Sequence, residues 1–285
     1  MSSTIIFTVI TLSLLGIVSA VVLYFVAQKF KVFEDPRIND VEAMLPGANC
    51  GGCGYAGCRS LAEALVVEDD ISKIYCPVGG NSTMISVAQY LGKAAPEKEP
   101  QVAVVRCQGK PEHRAKVNSY DGASSCVISA SLYMGDTGCQ YGCLGLGDCV
   151  VVCNFGAIAV NPATGIPEVI DEKCTACGAC VKACPKHIVE LRKKGPKDKK
   201  VFVSCVSKDK GAVAKKACQV ACIGCGKCVK TCPFEAITLD NNLAYIDPVK
   251  CKLCRKCVEV CPTAAIVEAN FPPRPKVVET SSEAQ

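Results

Sequence analysis

The sequence contains no tryptophan, few other aromatic residues and only two histidines, His113 and His187. Haem and Rieske-type centres bind iron through histidine in most proteins, so we expect neither in this chain. Long apolar periodic segments are scarce beyond the N-terminus, which leaves little side-chain volume for a conventional hydrophobic core. There is also no Ser/His/Asp set, no Walker loop and no carboxylate pair suited to acid–base catalysis. These absences favour electron transfer over bond-making chemistry.

Cysteine is unusually abundant and accounts for 24 of the 285 residues. This density is typical of a disulfide scaffold or of a metal-loaded protein. Disulfide scaffolds are usually short, and zinc sites usually combine two separated C-x2-C pairs. This chain instead repeats the run C-x2-C-x2-C-x3-C-P, which is the ligand pattern of a [4Fe-4S] cluster. The three regular runs are Cys174, Cys177, Cys180, Cys184; Cys222, Cys225, Cys228, Cys232; and Cys251, Cys254, Cys257, Cys261.

An irregular fourth run precedes the regular ones, and Asn154 follows it in place of proline. In two-cluster ferredoxins the fourth cysteine of each run ligates the neighbouring cluster. Four runs therefore predict two ferredoxin pairs with crossed ligands. The irregular run is Cys139, Cys143, Cys149, Cys153. The predicted sets are Cys139, Cys143, Cys149 with Cys184; Cys174, Cys177, Cys180 with Cys153; Cys222, Cys225, Cys228 with Cys261; and Cys251, Cys254, Cys257 with Cys232.

An internal repeat relates the two predicted pairs. Adding 79 to the numbers of Cys126, Cys139, Cys143, Cys149 and Cys153 gives Cys205, Cys218, Cys222, Cys228 and Cys232. Adding 77 converts the first regular run into the third. The segment CQYGCLGLGDC aligns with CQVACIGCGKC, so Leu146 stands where the second copy has Cys225. We therefore expect Cys139 to replace the missing ligand.

A further cysteine unit lies nearer the N-terminus, in LPGANCGGCGYAGC and the Cys-Pro pair after it. Its four cysteines predict a fifth [4Fe-4S] cluster, and the RSLAEALVVEDD stretch between them predicts a short helix with one apolar face. The four are Cys50, Cys53, Cys58 and Cys76. The same loop satisfies G-x-G-x-x-G, but no strand precedes it, so we expect no NAD or flavin there.

Four cysteines remain after these assignments: Cys107, Cys126, Cys205 and Cys218. Two interpretations stay open. They form a sixth cluster that the two inserted segments ligate jointly, or they are buried free thiols, which are common in protein interiors.

The first 28 residues carry no charged side chain, and Ile5 to Ala27 is an uninterrupted apolar run. A helix of this length spans about 35 Å, enough to cross a hydrocarbon core of roughly 30 Å. No basic residue precedes the run, as a secretory signal would require, whereas Lys29, Lys31 and Arg37 follow it. The positive-inside rule then predicts an uncleaved anchor with its N-terminus outside and the iron–sulfur domains in the cytoplasm.

The predicted fold class is α+β, with one transmembrane helix, a small helical [4Fe-4S] domain and tandem bacterial-type two-cluster ferredoxin-like domains. The basic stretch LRKKGPKDKK, residues 191–200, is interpreted either as a solvated loop or as a landing patch for an acidic electron carrier. The expected divisions are an anchor (1–28), an N-terminal 4Fe-4S domain (29–92), a linker and inserted segment (93–138), ferredoxin pair 1 (139–194), a basic inserted segment (195–218), ferredoxin pair 2 (219–269) and a disordered tail (270–285).

The anchor, the LPGANCGGCGYAGC unit and a ferredoxin pair opening with GCQYGCLGLGDC together resemble the B subunit of the Rnf ion-translocating oxidoreductase complex, in its longer form with two ferredoxin pairs. The resemblance implies an iron–sulfur subunit that takes electrons from reduced ferredoxin and relays them towards the membrane subunits and ultimately NAD+. It also implies that the flavin and NAD sites belong to other subunits of the complex.

We therefore expect five or six [4Fe-4S] clusters and no flavin, NAD, haem or zinc. The expected partners are other Rnf subunits, reduced ferredoxin and the lipid bilayer of the plasma membrane; a net charge of +5 gives no argument for nucleic acid. Two alternatives remain: an iron–sulfur subunit of another membrane reductase or hydrogenase, which would lack the unit from Cys50 to Cys76, and a structural zinc protein, which would be colourless.

Overall fold

A long apolar helix begins the structure, which is a computed structural model that describes residues 2–29, 35–133 and 135–273. Helix α1 (Ser2–Lys29) contains a stretch, Ile5–Lys29, with a mean hydropathy of 2.6, and none of it is buried against the rest of the chain. Its length and composition suffice to cross a bilayer. The apolar run that was predicted to be helical forms one continuous helix in the structure.

Three helices form the N-terminal domain: α2 (Arg37–Met44), α3 (Cys58–Val67) and α4 (Gly80–Leu91). The predicted apolar face of α3 is confirmed, since Leu61, Leu65 and Val66 are buried. Met84 and Val87 of α4 pack into the same cluster. This domain therefore has an ordinary side-chain core beside its cysteines.

The first ferredoxin pair is built from short elements. They are β1 (Gln101–Val105), α5 (Cys126–Leu132), α6 (Asp148–Val151), β2 (Ile158–Asn161), β3 (Ile166–Val169), α7 (Ala179–Ala183) and β4 (Val189–Lys193). Strand β2 pairs with β3, and β1 pairs with β4, both antiparallel. The strands are only four or five residues long because each sheet covers one side of a cysteine loop.

The second pair repeats this arrangement. Its elements are β5 (Lys200–Val203), α8 (Gly211–Ala217), α9 (Lys227–Thr231), β6 (Ile237–Asp240), β7 (Leu243–Ile246), α10 (Lys256–Glu259) and β8 (Ile266–Ala269). Strand β6 pairs with β7, and β5 pairs with β8. A single 3-10 turn, Pro196–Asp198, joins β4 to β5. The internal repeat found in the sequence is thus a repeat of folding units.

The two inserted segments take part in the sheets. Strand β1 lies in the segment expected to be a linker and inserted segment, and it pairs along its whole length with β4; β5 pairs in the same way with β8. Each inserted segment therefore supplies an outer strand to the ferredoxin unit that follows it. At the C-terminus, Asn270 donates to Asp171 and Phe271 lies against Arg255, so the described chain stays packed there. Residues 274–285 of the predicted tail lie outside the described residues.

Two buried arginines join the ferredoxin pairs. Arg106 donates through Nε to the carbonyl of Val203 at 3.1 Å and through Nη2 to the carbonyl of Cys205 at 3.1 Å. Its third group, Nη1, lies 3.2 Å from Glu190, which also accepts from Arg192 at 2.6 Å. Because all these groups are largely withdrawn from water, each hydrogen bond satisfies a group that would otherwise be buried without a partner.

We expect Arg106→Ala to lower the free energy of unfolding by about 3–5 kcal/mol, because it leaves the carbonyls of Val203 and Cys205 without a buried donor. The measurement is the temperature at which the anaerobic holoprotein loses its visible absorption. Arg59→Ala is the control: Arg59 pairs with Glu42 and Glu63 at the surface, with 42% of its side chain exposed, and the change should cost less than about 1 kcal/mol. Equal shifts in the two variants would contradict the joining role of Arg106.

Candidate metal centres

The N-terminal cysteines lie around the start of α3. Cys58 is the first residue of the helix, and its N–H donates to Asn49 Oδ1 at 2.8 Å. Cys76 is buried and accepts a 3.4 Å hydrogen bond from the Gly79 N–H. Burial raises the pKa of the Cys76 thiol, and the nearby Cys53 and Cys58 raise it further. Three of the four predicted ligands are thereby brought together, and Cys50 stands on the same loop as Cys53.

The first regular run lies with the cysteine that was predicted to cross to it. Cys153, Cys174, Cys177 and Cys180 line one cavity. Backbone N–H groups of Ala157 and Ala103 donate to the sulfurs of Cys153 and Cys174, each at 3.4 Å. Such donors stabilise thiolate charge and tune the potential of an iron–sulfur centre.

The second ferredoxin pair shows the same crossing. Cys222, Cys225, Cys228 and Cys261 line one cavity. Burial raises the pKa of Cys257 to about 12, and Cys251 and Cys254 contribute to the rise. Burial likewise raises the pKa of Cys251, whose neighbours include Cys254 and Cys232. The structure thus brings Cys232, Cys251, Cys254 and Cys257 near one another.

The irregular run is completed in a different way from the one expected. One cavity is lined by Cys126, Cys143, Cys149 and Cys184. Cys139, which the alignment suggested as the replacement ligand, is not among its lining residues. Each of the three cysteine cavities is lined by four thiols, so the set that contains Cys126 is as complete as the two regular sets.

Asp148 holds Cys126 at this cavity. Its carboxylate accepts from the N–H groups of Cys126 and Val127, at 2.9 and 3.0 Å, and from the Ser125 hydroxyl at 3.0 Å. Burial alone would raise the pKa of Asp148, but these hydrogen bonds lower it below its usual value. Asp148 is adjacent to Cys149 in sequence, so one turn fixes two of the four thiols. Sequence spacing could not reveal this contact, since 21 residues separate Cys126 from Asp148 along the chain.

The remaining four thiols also lie near one another. Burial raises the pKa of Cys139, and Cys107 and Cys218 add to the rise. Burial raises the pKa of Cys218 as well, with Cys107 and Cys205 among its neighbours. The four thiols that lie near one another are therefore Cys107, Cys139, Cys205 and Cys218. The group expected from the sequence contained Cys126 instead of Cys139.

The basic stretch at residues 191–200 is neither a solvated loop nor an open patch. Arg192 and Lys200 are buried, Lys193 pairs with Glu99, and Lys200 pairs with Asp171. Lys194 lies 3.6 Å from Asp198. Lys197 is the one cation of this stretch that is classed as exposed. Most of the charge therefore serves contacts within the protein.

The donor chemistry fits iron–sulfur clusters. All 24 cysteines are free of disulfide bonds. Among the described residues, no group of three or more His, Cys, Asp or Glu side chains lies close enough together for a single metal ion. A cubane with an iron at four corners needs more widely spaced thiolates than one ion does, and soft thiolates are the ligands that such iron sites select.

Family comparisons match three parts of the chain. Residues 137–188 and 221–265 match the 4Fe-4S dicluster domain, and residues 45–77 match a family described as a putative Fe-S cluster. Together with the apolar helix and the mixture of helices and short strands, these matches confirm the predicted fold class: an N-terminal helix, a small iron–sulfur domain and tandem two-cluster ferredoxin-like domains.

Several curated proteins are similar over most of the chain. The B subunit of the Na+-translocating ferredoxin:NAD+ oxidoreductase complex of Acetobacterium woodii is 46% identical over 241 residues, which is 85% of this chain and 71% of the relative. The proton-translocating counterpart from Clostridium ljungdahlii is 41% identical over 87% of this chain and 86% of the relative. The B subunit of the ion-translocating oxidoreductase complex of Methanosarcina acetivorans is 42% identical over 88% of this chain and 93% of the relative.

Crossed ligation in the second pair can be tested by iron content. Cys232→Ala with Cys251→Ala removes two thiols of one predicted set, so we expect a loss of about four irons per chain. Cys228→Ala with Cys232→Ala removes neighbours along the chain that belong to different sets, and the loss should approach about eight irons. Iron and acid-labile sulfide are measured on the anaerobically purified full chain. Equal losses in the two variants would rule out the crossing.

Proposed function

The chain belongs to the family of B subunits of Rnf-type ion-translocating oxidoreductase complexes, and we propose that it takes electrons from reduced ferredoxin and passes them towards the membrane subunits of such a complex and ultimately to NAD+. Membership makes it an iron–sulfur electron-transfer subunit. The observation that carries the finer proposal is a continuous series of cysteine sets from an exposed end of the molecule to the domain that follows α1.

The twenty cysteines of the runs and of the N-terminal unit remain the proposed ligands, with Cys126 in the place of Cys139. When bound, [4Fe-4S] clusters supply one-electron carriers whose potentials depend on burial and on N–H donors to sulfur. The residues of this chain hold the carriers, shield them from water and set their spacing. The chemistry needs no further catalytic group.

Contacts between neighbouring sets support the proposed order of the carriers. Cys257 has Cys228 among its neighbours, which joins the two sites of the second pair. Cys149 similarly has Cys180 nearby, which joins the two sites of the first pair. Gly52 of the N-terminal loop lies against Cys177: a Cβ at Gly52 would come within 2.9 Å of the Cys177 Cβ and carbonyl oxygen. The N-terminal domain is thus the neighbour of the first pair, on the side of the chain that leads to the anchor.

The exposed end lies in the second pair. Cys225 and Cys254 are the two cysteines of the chain that are classed as exposed. Exposed lysines stand beside them in sequence: Lys227 and Lys230 next to Cys225, and Lys250, Lys252 and Lys256 around Cys254. An acidic electron carrier would be attracted to this surface, since complementary charge raises the rate of encounter. The surface replaces residues 191–200 as the proposed docking site for reduced ferredoxin.

Helix α1 is the proposed single membrane anchor. It is apolar and unburied, and it ends at Lys29, the first charged residue of the chain. With basic residues on its C-terminal side alone, the positive-inside rule favours an N-terminus outside and iron–sulfur domains in the cytoplasm. The same helix would contact the lipid bilayer and the membrane subunits of the complex.

Neutralising the docking lysines should slow electron uptake. We expect Lys252→Gln with Lys256→Gln to lower the second-order rate of reduction by ferredoxin about tenfold at low salt, and to flatten the dependence of that rate on ionic strength. Stopped-flow absorption of the full chain, followed at several salt concentrations, measures both. Lys73→Gln with Lys116→Gln removes the same charge from exposed positions elsewhere and should leave the rate unchanged. If both double variants slow equally, net charge and not a docking site is responsible.

Filling the contact at Gly52 should separate the N-terminal centre from the first pair. Gly52→Ala places a methyl group 2.9 Å from Cys177, and such overpacking costs about 1–3 kcal/mol or displaces the loop. We expect the magnetic coupling between the two reduced centres, seen as broadening of the EPR spectrum, to weaken, because it falls steeply with distance. Ala56→Ser, at an exposed position of the same loop, is the control. Full iron content with an unchanged spectrum would show that the two centres do not meet at this contact.

A further inference from the structure

Four cysteines outside the regular runs come from four separate segments of the chain and meet between the two ferredoxin pairs. We propose that Cys107, Cys139, Cys205 and Cys218 hold a sixth [4Fe-4S] cluster, and that Cys126 is the ligand of the first pair that replaces the thiol missing at Leu146. The proposal extends the electron relay proposed above, and its test below does not depend on ferredoxin.

The four thiols occupy two equivalent positions in each copy of the internal repeat. Cys107 follows the last residue of β1 by two positions, and Cys205 follows the last residue of β5 by two positions. Cys139 and Cys218 each precede the first ferredoxin cysteine of their copy, Cys143 or Cys222, by four positions. The proposed set is therefore two equivalent pairs, one from each half of the repeat.

In the second copy, Cys218 is not needed as a ligand of the ferredoxin site. The ferredoxin cavity of this copy already has a full set of four thiols, which includes Cys225 and excludes Cys218. Cys139, the counterpart of Cys218, is likewise absent from the lining of the first copy's ferredoxin cavity. That cavity lacks a thiol at Leu146, and Cys126 lines it instead.

Cys126 has no counterpart at an equivalent position of the second copy. Adding 79 leads to Cys205, but Cys205 follows a strand, whereas Cys126 begins helix α5. The structural counterpart of Cys205 is Cys107. The helix that starts at Cys126 is fixed by Asp148, whose carboxylate accepts from Cys126, Val127 and Ser125. The first copy has thus gained a separately anchored thiol at the place where it lost one.

Hydrogen bonds between segments hold the four proposed ligands in one place. Arg106, adjacent to Cys107, donates to the carbonyl of Cys205 at 3.1 Å. The N–H of Gln219, adjacent to Cys218, donates to the carbonyl of His113 at 2.9 Å. A Cβ on Gly109 would lie 3.4 Å from the Cys218 sulfur, so the loop after Cys107 passes directly over that thiol.

Backbone N–H groups are directed at three of the four sulfurs. The Ser207 N–H donates to the Cys205 sulfur at 3.5 Å, and the N–H groups of Tyr141 and Val220 are directed at the sulfurs of Cys139 and Cys218. Cys205 and Cys218 are less than a tenth exposed. A neutral thiol is a weak acceptor, whereas an iron-bound sulfur carries charge that these donors stabilise. Each thiol loses its proton as its sulfur binds iron.

Arg114 supplies positive charge on one side of the site. Its Nη1 donates to the carbonyl of Cys143 at 2.8 Å and lies 3.3 Å from Thr137 Oγ1. The guanidinium lowers the pKa of both Cys139 and Cys218, although burial has the larger, opposite effect and raises them overall. Arg114 is therefore next to the proposed centre and to the first pair at once. A cluster with four thiolates is anionic, so a fixed cation beside it offsets part of the cost of burial.

The proposed sixth cluster lies where it could carry electrons between the two ferredoxin pairs. Burial raises the pKa of Cys143 to about 12, and the next contribution comes from Cys107, so this side of the site faces the first pair. On the other side, Cys205 has Cys222 of the second pair as a neighbour. A cluster here would lie between the two ferredoxin pairs and would carry electrons from one to the other. With four buried thiols in its place, the relay would have a gap at this junction.

Native mass spectrometry of the anaerobically purified full chain counts the clusters directly. We expect six, with about 24 irons in parallel iron analysis. Cys107→Ala with Cys205→Ala should leave five clusters and about 20 irons. A wild-type chain with five clusters overturns the sixth site, whatever ferredoxin does with the protein. Six clusters without ferredoxin reduction would leave the site standing and contradict only the proposed donor.

Two matched double variants test the exchange of Cys126 and Cys139. Cys126→Ala with Cys149→Ala removes two ligands of one proposed site, so about four irons should be lost. Cys139→Ala with Cys149→Ala touches two proposed sites, and the loss should approach about eight. The reverse order of losses would return Cys139 to the ferredoxin site and overturn the exchange. Should either variant fail to fold, Asp148→Ala gives a second test, because it frees Cys126 without removing a thiol. We expect this variant to lose one cluster more readily under mild chelation. Asp121→Ala, at an exposed position of the same inserted segment, is the control and should keep all its clusters.

Discussion

The convergence of four thiols around one small space is the constraint on which most of this fold depends. The buried cluster of the second ferredoxin pair consists of five cysteines, small apolar residues such as Ala214 and Ala221, and only three larger aliphatic side chains, Ile237, Ile246 and Ile266. The thiols of Cys222, Cys225, Cys228 and Cys261 line one cavity beside these side chains. Metal binding then supplies folding free energy that side-chain packing alone does not. The N-terminal domain is the exception, because Leu61, Leu65 and Met84 give it a core of its own.

Short strands and buried arginines follow from that constraint. An isolated two-stranded sheet is marginally stable in water, and each ferredoxin unit has two of them. The sheets therefore depend on what they cover and on one another. Arg106 and Arg192 meet at Glu190 and reach across to the second pair, and both guanidinium groups lie near the Tyr245 ring. The two pairs are fixed relative to each other, as a relay with constant spacing between its carriers requires.

The sequence predicted the features that depend on local spacing. The crossed sets of the three regular runs were predicted from x2 and x3 loops, and the helical face of α3 from Leu61, Leu65 and Val66. Spacing could not place Cys126, because its position depends on Asp148, which is distant in sequence. It could not foresee that Arg192 and Lys200 are buried, since their partners Glu190 and Asp171 become visible only once the strands pair. The outer strands β1 and β5 were missed for the same reason: each pairs with a strand that lies beyond a complete ferredoxin motif.

The two halves of the repeat differ at the positions of the solvent-exposed cysteines. In the second pair, Cys225 and Cys254 are exposed. Their counterparts in the first pair are Leu146, which carries no thiol, and Cys177, which the N-terminal loop covers at Gly52. One copy has thus kept both exposed thiols, while the other has lost one and covered the other. A duplicated ferredoxin with two identical halves would offer two equivalent surfaces to a soluble carrier. Because only one half here remains open, the proposed docking and the proposed onward transfer fall to different ends of the chain.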